Sequence, residues 1–305
     1  NVPRGTFEIE KLPLQNLRVF HVEHFSGTYR LDFENESGRT LFMGHVIAVA
    51  NQKGGVGKTT SSVSLGAELA LAGRRVLIVD FDPQGNASSG LGIETPEEGQ
   101  DLYDMFFGRI SLERVARQSD IENLFVAPSS QDLIGVEIEL GKTPGRELIL
   151  KSQLSLLQRK FDYIFIDCPP SSGLLSLNAL GAAKYILIPL QAEYYALEGL
   201  SALMNTIDFV RKTFNPTLEI LGVFLTMFDS RTRLSSQVED EVREYFADRM
   251  FQTRVPRNIR LSEAPSHSLP ICLYAPQSSG AIAYAALSSE IDELLFGERP
   301  AVANA

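Results

Sequence analysis

Five short apolar runs, at residues 46–50, 75–80, 162–167, 185–190 and 218–228, constrain what this chain can fold into more than any other feature. Each is close to continuous in Val, Ile, Leu, Ala and Phe, with little polar alternation. A strand with one wet face alternates, whereas a strand covered on both faces buries every side chain whichever way it points. Helical spacing fills the segments between: Leu197, Leu200, Leu203, Ile207 and Val210 recur on one face, the stripe a helix needs to pack on a sheet. A helix over 59–71 closed by Gly73, and a last helix over 280–296 carrying Ile282, Leu287, Ile291, Leu294 and Leu295, complete the pattern. Strands alternating with helices predict an α/β fold with a doubly wound, mostly parallel sheet.

This pattern occupies residues 45–297, read as one domain. Residues 1–44 form an appendage in which only Tyr29, Leu31 and Phe33 hint at a strand, and 298–305 are expected as a flexible tail. His21 and His24, spaced as if to meet on one helical face, read as solvent-facing residues because no Cys or third His joins them. The chain opens on Asn1, and Met43 directly before the domain raises the expectation that 1–44 is an artefact of the assigned start. No basic segment followed by an apolar core stands at the beginning, so no signal peptide is expected. The charge-free run 268–289 is broken by Pro270, Pro276 and Gly280 and reads as a loop leading into a buried helix, without membrane insertion.

Charge and cysteine usage narrow the partners. With 28 Lys+Arg against 38 Asp+Glu the formal charge is −10, which repels nucleic acid and anionic membranes overall, so contact with either must be local. Cys168 and Cys272 belong to no CxxC or Cys/His cluster, which argues against structural zinc and for a reducing, cytoplasmic setting.

Lys53-Gly54-Gly55-Val56-Gly57-Lys58-Thr59-Thr60 lies between the first apolar run and the first helix. Glycines let successive N–H groups turn toward one centre, and the helix N-terminus adds positive potential. Lys58 can then reach β/γ-phosphate oxygens and the Thr59 hydroxyl can ligate Mg²⁺, so Gly54, Gly55, Val56, Gly57, Lys58, Thr59 and Thr60 are candidate nucleotide contacts. The run 162–167 ends in Asp167, followed by Cys168-Pro169-Pro170-Ser171; an acid closing an apolar strand beside such a loop is placed to hold the Mg²⁺ shell through water. Asp80 and Asp82 close the second run at the same edge, Asp80 reading equally well as a strand-end capping residue. Cys168 reads as a bystander, since no basic partner is visible.

The loop departs from the usual P-loop pattern, with Gln52 where glycine is expected and a second lysine at 53. It resembles the deviant Walker A motif of the ParA/MinD superfamily of ATPases. The stretches Ala50-Asn51-Gln52, Asp82-Pro83-Gln84-Gly85-Asn86, Thr226-Met227-Phe228-Asp229-Ser230-Arg231-Thr232 and Val255-Pro256-Arg257-Asn258-Ile259-Arg260-Leu261-Ser262-Glu263 narrow the resemblance to the chromosomal ParA/Soj branch. It implies a P-loop NTPase-like fold, ATP and Mg²⁺ as ligands, and Lys53 reaching the nucleotide of the other subunit in a sandwich homodimer. It further implies Asp82 positioning the attacking water beside the metal with Thr59 and Asp167, and Met227, Pro256 and Asn258 around the adenine. Arg231 and Arg260 match arginines that bind DNA without sequence preference, with release triggered by a ParB-like centromere-binding partner on the nucleoid. The residues allow it: 249–262 holds Arg249, Arg254, Arg257 and Arg260 with no acid, and a local stripe acts within a Debye length of ~8 Å.

Two other classes share the loop. A MinD-type membrane-positioning ATPase needs a basic amphipathic C-terminal helix, whereas 290–298 is acidic. An iron–sulfur reductase like the nitrogenase iron protein needs paired cluster cysteines, which Cys168 and Cys272 do not supply in a matching setting.

Overall fold

A computed structural model of the chain describes residues 18–25, 28–34, 40–41, 43–94, 100–193 and 196–297. The chain divides into two compact units, Asn1–Met43 and Gly44–Ala305. The tail expected over 298–305 lies outside the described residues.

The first unit holds an antiparallel sheet of β1 (Arg18–Phe25), β2 (Thr28–Glu34) and β3 (Thr40–Leu41), in that order. Tyr29, Leu31 and Phe33 fall on β2. The register of β1 shifts between Val19 and His21, and such an irregularity breaks the two-residue period by which strands are read from sequence. His21 lies opposite Asp32 and His24 opposite Tyr29, on a strand rather than the helix that would align a three-residue spacing.

In the second unit a seven-stranded sheet runs in the order β10-β9-β4-β8-β5-β7-β6. The five expected strands are β4 (His45–Val49), β5 (Val76–Asp80), β8 (Tyr163–Asp167), β9 (Tyr185–Gln191) and β10 (Glu219–Thr226), all parallel. Two further strands, β6 (Arg117–Gln118) and β7 (Leu124–Ala127), extend one edge, with β6 antiparallel. Both are too short for a periodic signal, and β6 is polar.

Alternate residues of the central strands feed separate cores. Val46, Ala48, Leu77, Val79, Ile164 and Ile166 pack on one side with Leu175, Ala179, Leu200, Leu203 and Ile207. Ile47, Val49, Val76, Ile78, Tyr163 and Phe165 pack on the other with Leu65, Leu69, Tyr284, Leu287 and Ile291. This two-sided cover is why the runs are continuous, each large apolar side chain contributing about 1.5–3 kcal/mol by leaving water. The Lys58–Leu71 helix approaches so closely that a Cβ on Gly66 would stand 2.7 Å from Ile78 Cδ1. In the Ser279–Phe296 helix the inward face differs from the expected stripe: Ile282 and Leu294 are each 59% exposed, and Ala281 and Tyr284 are buried instead. Among the described residues no helix is long and apolar enough to cross a membrane.

The order sets the position of the site. From β4 the chain crosses to β5 and the β7 edge, returns to insert β8 between β4 and β5, then continues to β9 on β4's other side. Loops leaving the carboxyl ends of β4, β5 and β8 therefore converge at the reversal point, where open parallel sheets bind ligands.

Candidate functional site

The loop after β4 is pinned at its base and its tip. Asn51, buried, donates from Nδ2 to the Pro189 carbonyl (2.9 Å) and accepts the Lys53 N–H at Oδ1 (3.0 Å). At the tip Thr226 Oγ1 donates to the Val56 carbonyl (2.9 Å). Gly55 and Gly57 have φ of +74° and +90°, a left-handed geometry that a Cβ opposes. Gly57 caps the Lys58–Leu71 helix, whose first N–H groups lack intrahelical acceptors and face whatever the loop encloses. Ser61 Oγ donates to the Gly57 carbonyl (2.6 Å) and pairs with Tyr284 Oη (2.9 Å), joining the loop to the last long helix.

The two lysines of the loop occupy different environments. Lys58 is 7% exposed, and its ammonium donates to the Lys53 carbonyl (3.2 Å). Burial lowers its pKa, opposed by Asp167, Cys168 and Asp82. The Lys53 side chain is 33% exposed, its Nζ 3.2 Å from Glu193 Oε2. Glu193 also faces Arg257 (3.7 Å) and accepts from Gln191 Nε2 (2.5 Å).

Register sets Asp80 of β5 directly opposite Asp167 of β8. Asp167 is fully buried, and its Oδ1 accepts from Ser62 Oγ (3.0 Å). Burial first, and the Asp80 charge second, push its carboxyl above the usual range. Asp80 Oδ2 accepts from Ser88 N (2.8 Å) and Ser88 Oγ (2.7 Å), anchoring the Asn86–Gly90 helix, and burial raises its pKa as well. Among the described residues Asp80 Oδ1 and Asp167 Oδ2 are buried without a hydrogen-bond partner. Unpartnered carboxylate oxygens beside Thr59 and below a glycine cradle suit a hard divalent cation that keeps part of its water shell, so this donor set fits Mg²⁺. Asp82, half-buried, accepts the Gln84 N–H at Oδ1 (3.0 Å) within its own turn. The Cys168 thiol is buried, and burial raises its pKa, the opposite of an activated nucleophile.

Met227, Pro256 and Asn258 line a cavity of about 500 Å³ that also touches Gly57, Thr60 and Tyr284. A parallel bridge between Phe228 and Pro256 joins its walls, and Met227 takes φ +51°. Asn258 Oδ1 accepts the Arg260 N–H (2.8 Å) to cap the Ile259–Glu263 helix, while Nδ2 donates to Ser279 Oγ (2.8 Å). Each end of that amide keeps one further hydrogen-bonding place. The residues that set this geometry without having been singled out as site residues in the sequence are Asn51, Ser61, Ser62, Thr226, Tyr284 and Glu193. Asn51, Ser61 and Ser62 adjoin the loop, but what they bond, Pro189, Tyr284 and Asp167, lies far off in sequence, as do Thr226 and Glu193, and carries no periodic signal.

The arginine stretch is free of acids along the chain but not in space. Arg254 pairs with Glu239 (2.8 Å), a residue 7% exposed, and Arg249 donates to the Ile220 carbonyl (3.1 Å). Both are built into the fold. Arg231 grips Asp229 through Nε (2.9 Å) and Nη2 (2.7 Å), and these hydrogen bonds hold the Asp229 carboxyl down to about 2. Arg260 Nη1 donates to Glu263 Oε2 (2.8 Å).

Strand, glycine-rich loop, helix and a strand-end acid beneath the loop define the nucleotide site of a P-loop NTPase. A family model described as an AAA domain matches residues 44–220. The chain is 54% identical over 249 residues to the sporulation initiation inhibitor protein Soj of Bacillus subtilis (strain 168), covering 82% of this chain and 98% of that protein. It is 50% identical to the chromosome-partitioning ATPase Soj of Treponema pallidum (strain Nichols), over 82% and 97%. The crystal structure of cobyrinic acid a,c-diamide synthase from Mycobacterium smegmatis with bound ADP and magnesium superposes with a TM-score of 0.73 at 36% identity, over 84% of this chain and 97% of that one. The chain belongs to the ParA/Soj family of chromosome-partitioning ATPases.

Proposed function

We propose that this ATPase is the nucleotide switch of a DNA-segregation system: ATP with Mg²⁺ closes two subunits into a sandwich, the closed dimer holds DNA without sequence preference, and slow hydrolysis stimulated by a ParB-like partner releases it. The observation that carries the reading is the contrast between Lys58, buried toward its own cradle, and Lys53, half-exposed on the same loop. A partly exposed cation that exchanges Glu193 for phosphate when a second subunit brings its nucleotide near couples nucleotide to dimerisation.

Each residue has a task in this reading. The cradle from Gly54 to Thr60 holds the phosphates, with Lys58 at the β/γ oxygens. Met227, Pro256 and Asn258 enclose the base. Thr59 and Asp167, with Asp82 nearby, would hold Mg²⁺, which neutralises charge on the transferring phosphoryl group. Asp82 leaves its turn with Gln84 to orient the attacking water. No strong base stands among these residues, so turnover rests on positioning and electrostatics and is slow. Arg231 and Arg260 meet the DNA backbone.

The membrane-positioning alternative finds no support in the last long helix. Tyr284, Leu287 and Ile291 are buried in the core, Asp292 is paired with Arg74 (2.9 Å), and Glu290 accepts the Gln252 and Thr253 N–H groups (both 2.9 Å). The test of the main reading is retention on a random-sequence duplex across a salt series, with and without ATP. ATP-dependent, salt-sensitive retention is expected, and Arg260→Ala weakens it while flattening the salt slope by about 0.9 for each phosphate it leaves without a cation. Retention independent of ATP or of salt refutes it.

A further inference from the structure

Five arginines in or near the basic stretch, Arg231, Arg249, Arg254, Arg257 and Arg260, have an acidic or carbonyl partner, and apart from the Arg257–Glu193 pair those partners are of two kinds. Arg254 and Arg249 hold groups that belong to the fold, a Glu239 side chain 10% exposed and the Ile220 backbone carbonyl. Arg231 and Arg260 hold acids from their own turns at the surface. The Arg231 side chain is 87% exposed and the Arg260 side chain 55%. Asp229 stands two residues before Arg231, and Glu263 three residues after Arg260.

The geometry of these surface pairs has a chemical meaning. Arg231 meets Asp229 with two N–H groups on two oxygens, the fork by which a guanidinium grips a phosphate. Glu263 Oε2 takes Arg260 Nη1 and is steadied by the Tyr274 hydroxyl (3.1 Å). Asp229 thus occupies a phosphate-gripping edge of Arg231, while Glu263 takes one terminal N–H of Arg260. Exposed ion pairs are weak, so a polyanion can displace the acids without any movement of the fold, but displacement lowers the net affinity of each contact.

We infer that Asp229 and Glu263 are affinity-setting residues of the DNA-binding surface, competing with backbone phosphate for Arg231 and Arg260 and keeping the grip weak enough to reverse. This rests on the proposed DNA-binding reading. The repulsion between each acid and the duplex, once displaced, adds to the effect and favours release when the dimer opens.

The test is retention of the full chain on a random-sequence duplex with Mg-ATP at fixed salt, for Asp229→Asn, Glu263→Gln, Arg231→Ala, Arg260→Ala and the double variant Glu263→Gln/Arg260→Ala. Asn at 229 keeps an oxygen for the Arg231 N–H, so the turn is preserved. Thermal melting checks that each variant folds, and Glu263→Asp, one methylene shorter, replaces Glu263→Gln should that one not fold. Each acid variant is expected to bind about two- to fivefold more tightly, and the Glu263→Gln gain is expected to vanish when Arg260 is absent. An equal gain in the Arg260→Ala background, or no gain in either acid variant while the arginine variants lose binding, overturns the competition and leaves the DNA reading intact. Unchanged retention in both arginine variants overturns the DNA reading and the competition with it.

Discussion

Asp167→Asn should make the chain more stable in the absence of Mg²⁺ and less responsive to Mg-ATP. Asp167 is fully buried, stands opposite Asp80 across two paired strands, and leaves Oδ2 without a partner, as Asp80 leaves Oδ1. A buried polar group without its hydrogen bond costs about 1–3 kcal/mol, and more when charged. Asn keeps an oxygen for Ser62, removes one of two like charges, and puts a neutral amide N–H in place of the unpartnered Oδ2. The recovered stability is therefore about 1–3 kcal/mol, which at roughly 2–4 °C per kcal/mol for a domain of this size is a rise of several degrees in Tm. The pH dependence has a defined sign. Because the folded pKa of Asp167 is raised above its unfolded value, the native state keeps a proton that the unfolded chain gives up, and stability falls as pH rises from about 4 to about 7. The gain from Asn is thus small at the acid end and grows toward the alkaline end. Calorimetry with and without Mg-ATP over that range is the assay; a saturating ligand at 100 times its Kd adds about 2.7 kcal/mol to the parent, and the variant should lose most of that. An Asn variant that melts lower than the parent without Mg²⁺, or that keeps the full ligand shift, refutes a metal-binding carboxylate held at a cost to the fold.

The two remaining predictions concern the proposed cycle. Lys53→Ala should bind ATP but stay monomeric in light scattering with Mg-ATP, and an unchanged dimer fraction would remove the cross-subunit role of this residue. Asp82→Ala should bind ATP and dimerise while phosphate release falls by about 10²-fold or more; parental turnover in that variant would exclude Asp82 from water positioning.

Much of the site was legible because its central parts are local. A strand-end acid such as Asp167 and a loop such as Gly54-Gly55-Val56-Gly57-Lys58-Thr59 are contiguous in the chain, and the apolar runs beside them place both at the carboxyl edge of one sheet. The supports of the site were not legible. Ser62 reaches Asp167 across 105 residues, Thr226 reaches Val56 across 170, and Ser61 reaches Tyr284 across 223, and a single Ser, Thr or Tyr gives no pattern that announces such a partner. Strands β6 and β7 escaped for a different reason, being shorter than the window in which a period can be counted. Ile282 and Leu294 misled because large apolar residues stand on both the buried and the exposed face of this helix, so its sequence does not reveal which face is inward.

The sequence by itself determined the layer architecture, the phosphate loop and the strand-end acids, since backbone geometry and side-chain alternation are properties of neighbours along the chain. Tertiary structure alone decided the strand order that sets Asp80 against Asp167, and therefore which carboxylate oxygens remain without partners. It also decided the charge of the arginine stretch: Glu239 and Glu193 come from remote segments to meet Arg254 and Arg257. Asp229 and Glu263 were visible in the sequence, but only the fold turned their carboxylates onto Arg231 and Arg260. Electrostatic interaction depends on distance in space and on exposure to solvent, neither of which is written in the order of residues.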